Sequence, residues 1–86
     1  MKLEAVLAFI HEEADNEYVP FVTLDKAAER IEEYVNDGDS LDKLDVYIDH
    51  DISQDRKHAF WEKVHRIGVK TVWAINQGVY MLASKP

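Results

Sequence analysis

The sequence predicts an α+β domain, three helices packed on a small mixed sheet in the order α-β-α-β-α-β-β, and three observations carry that reading. Leu24, Ala27, Ala28, Ile31, Tyr34 and Val35 recur at i, i+3, i+4, i+7, i+10 and i+11, the period of an amphipathic helix. Leu44, Val46 and Ile48 alternate with Asp45, Tyr47 and Asp49, the period of a half-buried strand. Val69 to Ile75 and Val79 to Ala83 flank Asn76-Gln77-Gly78, a connection whose glycine can take φ > 0, and so predict a C-terminal β-hairpin.

The remaining elements follow in chain order. Leu3, Val6, Leu7, Ile10 and Ala14 stand at helical spacing with Glu4, Glu12, Glu13 and Asp15 mostly elsewhere on the wheel, which predicts an amphipathic helix over residues 3–15. Tyr18, Val19, Pro20, Phe21 and Val22 favour a short strand, and Pro20, lacking an N–H, confines it to an edge or a bulge. Thr23 is suited to cap the second helix, Asp25 complements its dipole, and Gly38 ends it in a left-handed turn. Lys26 with Glu29 and Arg30 with Glu33 are at the spacing of solvated ion pairs on that helix.

Residues 41–52 fit two periods. Leu41, Leu44 and Ile48 suit a helix, but the β-branched residues and tyrosine over 44–51 favour a strand. Ser53 caps a basic third helix, 54–67, which turns Phe60, Val64 and Ile67 inward and stops at Gly68. A strand at 44–51 feeding this helix and returning at 69 makes a parallel βαβ crossover. Were 41–48 helical, the order would instead be that of a winged helix, with helix 54–67 in a DNA major groove and hairpin 69–83 as the wing.

The 86 residues suffice for one small domain, 1–86, and no repeat or linker divides them. The absence of cysteine excludes disulfides, thiolate metal sites and cysteine nucleophiles, and fits a reducing compartment. No apolar run reaches the roughly 20 residues of a membrane span, and no signal-peptide pattern opens the chain, so a cytoplasmic protein is expected.

Charge is the most informative feature. The net charge of −7 conceals a split: residues 1–55 hold sixteen acids and four bases, whereas residues 56–86 hold Glu62 alone against Arg56, Lys57, Lys63, Arg66, Lys70 and Lys85. An acidic front of this kind repels nucleic acid and anionic lipid and steers basic partners inward. The expected function is therefore non-enzymatic: a small acidic interaction protein, an inhibitor or regulator of the kind phages and bacteria use. It would dock a basic protein surface, including one that normally holds nucleic acid, through Glu12, Glu13, Asp15, Glu29, Glu32, Glu33, Asp37 and Asp39. No cofactor is expected. The apolar edge strand Val79–Ala83 also allows a homodimer.

Two chemical alternatives are weaker. Asp49 and Asp51 on one strand would project to one face about 6.6 Å apart and could share Mg²⁺ in a nuclease, but no general base or phosphate-holding loop accompanies them. His58 and His65, seven apart on a helix, stand roughly 10.5 Å from each other along its axis, too far to clamp one zinc ion. His65, four residues after Trp61, suits a stacked structural role, and Trp61 and Trp73 read as packing residues.

Overall fold

The computed structural model describes residues 3–10, 15–76 and 79–84. It is an α+β domain with two helices, not three. The first predicted helix is instead strand β1 (Ala5–Phe9), followed by β2 (Glu17–Phe21), α1 (Leu24–Asn36), β3 (Leu44–Asp49), α2 (Gln54–Ile67), β4 (Val72–Asn76) and β5 (Val79–Ser84). The four-stranded mixed sheet runs β2-β1-β3-β4, with β5 paired outside β4. β1 lies antiparallel to both β2 and β3, and β3 is parallel to β4 through α2.

The correction at β1 has a simple cause. Ala-Val-Leu-Ala-Phe-Ile is apolar at every position because β1 is an interior strand: Ala5 and Leu7 enter the core, while Val6 and Ala8 look toward the opposite sheet face. A run apolar at every position matches a helical stripe as readily as a strand, so periodicity alone does not separate them. Pairing does. Leu7 is in register with Val19 on one side and Val46 on the other, and neither partner is near it in sequence.

The other elements match their sequence signals. β2 is an edge strand, as Pro20 requires. Thr23 caps α1, its hydroxyl accepting from the Lys26 N–H at 3.2 Å, and Gly38 follows the helix at φ 84°. Ser53 caps α2 through the Arg56 N–H at 3.3 Å, and Gly68 ends it. Residues 44–49 are strand, which removes the winged-helix order together with its DNA-reading geometry. β4 begins at Val72, later than the predicted Val69; its pairing with β5 is antiparallel and irregular, and the predicted turn at Gln77-Gly78 lies outside the described residues.

One core joins the sheet to both helices. Leu7, Val46, Ile48 and Val72 of the strands meet Ala27, Ala28 and Ile31 of α1 and Phe60 and Val64 of α2. Each of the Leu, Val, Ile and Phe side chains among them contributes about 1.5–3 kcal/mol on full burial. Among the described residues no helix lies on the opposite sheet face, to which Val6, Ala8, Tyr18, Pro20, Asp45, Tyr47, Trp73 and Ile75 belong. No helix among the described residues is long and apolar enough to cross a membrane.

Candidate interaction surfaces

β2 climbs to the start of α1, α1 descends, and its last turns come back to the sheet end where β1 finishes and β3 starts. The Tyr34 ring meets the Phe9 ring edge-on there, with centroids 5.0 Å apart. This path gathers acids separated in sequence. Glu32 and Glu33 occupy the end of α1, Asp37 is its C-cap, Asp39 follows, and exposed Asp15 precedes β2 at the same end of the sheet. Glu12 and Glu13 lie outside the described residues.

The acids are not equivalent. Glu29 pairs with Lys26 at 3.6 Å and Glu33 with Arg30 at 2.8 Å, the two i,i+3 pairs expected from spacing. Arg30 also lies 5.0 Å from the Tyr34 ring centre, and its hydrogen bonds to Tyr34 and Glu33 hold its pKa above the ordinary arginine value. Among the described residues, Glu32, Asp37 and Asp39 have no ion pair. No basic residue stands in the last turn of α1, where the helix carbonyls already carry partial negative charge. Arg66 and Lys70 reach the same end of the molecule below α2 and are exposed.

Part of the basic helix is engaged within the fold. Arg56 reaches back 52 residues to Glu4 and donates from both guanidinium nitrogens at 2.8 Å. Lys57 is 8% exposed, its ammonium donating to the His50 carbonyl at 3.1 Å. His58 lies 3.0 Å from Glu62. Trp61 stacks on His65 with centroids 4.9 Å apart and planes 7° from parallel, and His65 Nδ1 lies 3.3 Å from the Val69 carbonyl. Of these cations Lys57 alone is buried; Arg56 and His58, though paired, stay exposed, as do Lys63, Arg66 and Lys70.

At the other end of β3, Glu4, Asp49, Asp51, Ser53 and Arg56 line a shallow cavity together with Val22 and Ile52. The strand ends at Asp49, so Asp49 and Asp51 do not share a strand face as the metal reading required. Instead Asp49, 5% exposed, accepts the Asp51 N–H at 3.0 Å and shapes the turn into α2. No group of three His, Cys, Asp or Glu residues positioned to hold a metal ion occurs among the described residues.

Sequence reasoning missed Glu4. Its Oε1 accepts the Leu24 N–H at 3.0 Å at the start of α1, while the carboxylate takes the Arg56 fork from α2. The Arg56 hydrogen bonds hold its pKa below the ordinary value of 4.5, against the opposing effect of burial. A depressed carboxyl pKa stabilises the fold above the unfolded value, and that contribution disappears as pH falls through the folded value. Glu4→Gln should therefore cost about 1 kcal/mol at neutral pH, discounted for the exposed Arg56 side, and nearly nothing well below pH 4.5. Urea unfolding of both proteins at the two pH values checks this.

Against known proteins, no family model matches the chain, and neither a curated protein nor a solved structure shows significant similarity to it.

Proposed function

We propose that the protein is a non-enzymatic, cytoplasmic acidic interaction module, an inhibitor or regulator that docks a basic protein surface through the corner formed by Glu32, Asp37, Asp39 and Asp15. One observation supports this above the others. Glu32, Asp37 and Asp39, without an ion pair among the described residues, sit at the negative end of the α1 dipole, and no basic residue stands in its last turn. Each such acid costs an isolated helix roughly 0.3–1 kcal/mol, and a local rule broken without an evident structural gain is most often broken for function. Glu29 and Glu33, already paired, extend the acidic field but contribute less to contact.

A partner whose cations normally grip phosphate would meet negative charge here. The net charge of −7 would speed its arrival, with a rate that falls as salt rises. With Arg56 held by Glu4, Lys57 by the His50 carbonyl and the net charge at −7, direct nucleic-acid binding is the poorer reading.

The test exploits the conflict between folding and binding. The triple variant Glu32→Gln, Asp37→Asn, Asp39→Asn should unfold at higher denaturant, by about 0.5–1 kcal/mol, because dipole repulsion is relieved. The same variant should bind hexa-lysine several-fold more weakly in a low-salt anisotropy titration. Unchanged affinity would remove this corner from the docking surface.

A further inference from the structure

The two helices form one layer whose outer surface is divided by charge. Glu4 accepts the Leu24 N–H at the start of α1 and holds Arg56 in the first turn of α2, so both helices begin at the same end of the sheet and run side by side in one direction. Between them lies a groove of about 210 Å³, lined in part by Asp25 and Ala28 of α1 and by Ala59, Phe60 and Lys63 of α2. Helical spacing extends its two rims. Asp25, Glu32 and Val35 follow one another along α1 on the side of Ala28, as do Ala59, Lys63 and Arg66 along α2. The floor at Ala28 and Phe60 is buried, whereas all six of these rim residues are exposed, Val35 to 40%.

One rim is thus acidic and the other basic, and they stand at matching heights. Glu32 lies about 12 Å along α1 from Leu24, while Lys63 and Arg66 lie about 10.5 and 15 Å along α2 from Arg56. Among the described residues, Glu32, Lys63 and Arg66 nonetheless take part in no ion pair. A ligand of one sign suits one rim and is repelled by the other, which disfavours both nucleic acid and a purely basic peptide here. The complementary occupant carries an acidic stripe beside a basic one at the same spacing, and this chain supplies that surface itself.

We infer that the helix layer is the contact of a two-fold homodimer, in which Glu32 on α1 of each copy lies against Lys63 and Arg66 on α2 of the other. An axis between the two layers and parallel to the helices sets each α1 over the α2 of the second copy at unchanged height, so the contact occurs twice and closes. Val35, near the height of Arg66, is covered by the aliphatic stem of that arginine. Asp25 and Glu32 balance Lys63 and Arg66, so the meeting rims are not acidic although each chain carries −7. At physiological salt, a screening length of about 8 Å mutes repulsion between the remoter acids but not attraction between charges in contact. A small, polar contact of this kind is weak and reversible. It is separate from the edge strand Val79–Ser84 and shares only Glu32 with the corner proposed to dock a basic protein.

Sedimentation equilibrium at physiological salt, over a series from micromolar to millimolar protein, tests the contact by exchange of charge. The weight-average mass of the native chain should rise from 10.0 kDa toward twice that value. Glu32→Lys makes both rims more basic, and the double variant Lys63→Glu, Arg66→Glu makes both acidic, so each alone should self-associate roughly tenfold more weakly or worse. Mixed in equal amounts, the two should associate again, because each rim then faces its opposite; that recovery also shows both variants to be folded.

A native chain that stays monomeric at millimolar concentration would overturn the proposal and leave the groove to a helix of another protein. Association that survives in both variants would overturn it in favour of another face, and variants that fail to combine on mixing would overturn it as well. A dimer that passes the mixing test while hexa-lysine fails to bind the native chain would support this contact and count against the acidic corner alone.

Discussion

Leu7→Ala should lower the unfolding free energy by about 3 kcal/mol, and Ala8→Glu by at least as much. Leu7 is fully buried between Val19 and Val46 at the centre of the sheet, where truncation leaves a cavity that strands paired on both sides cannot collapse to fill. Ala8 is equally buried but on the other face, flanked by Tyr18 and Asp45. Glutamate there would place a second carboxylate beside Asp45 with no cation to meet it. The pair discriminates between folds: on the amphipathic helix predicted for residues 3–15, Ala8 lies off the apolar stripe and a glutamate would cost almost nothing. For a domain of this size, whose total stability is of order 5–10 kcal/mol, either loss is visible as a large fall in the urea midpoint followed by circular dichroism.

Gly68→Ala should cost about 2 kcal/mol, and Gly38→Ala about half of that. Both glycines follow a helix at positive φ, yet they are not alike. Gly38, at φ 84°, is near the left-handed helical region, and a methyl group there would meet nothing within 4 Å. Gly68 sits at φ 131°, further from any basin an L-residue occupies, while its N–H bonds the Val64 and His65 carbonyls and so cannot relax freely. Space does not decide the difference, since a Cβ at Gly68 would lie 3.5 Å from Leu41, an ordinary contact. Thermal unfolding of the two variants side by side measures it. A larger effect at Gly38 would mean that the turn from α2 into β4 is looser than its hydrogen bonds imply.

The candidate surfaces were unevenly legible. The exposed acids of α1 and their pairing with Lys26 and Arg30 follow from helical spacing, because i,i+3 neighbours are set by local geometry alone. The His65 stack on Trp61 follows for the same reason. The Glu4–Arg56 bridge was hidden: its members stand 52 residues apart, and nothing in either local pattern points to the other. The make-up of the sheet face opposite the helices was hidden more thoroughly. Tyr18, Asp45, Tyr47 and Trp73 belong to three strands, and only their register brings them together.

What the residue order determined by itself was every element with a strong local signature. Thr23 and Ser53 start helices because their hydroxyls satisfy first-turn N–H groups, Pro20 keeps β2 at an edge, and the alternation over Leu44–Asp49 makes a strand. Tertiary structure decided the rest. β1 is a strand because two distant partners satisfy its backbone, while its own apolar run is compatible with either period. Arg56 and Lys57 of the basic helix are engaged because Glu4 and the His50 carbonyl come within hydrogen-bonding reach when the chain closes on itself. Local geometry extends over a few residues, whereas pairing partners and charge neighbours are set by where the whole chain returns.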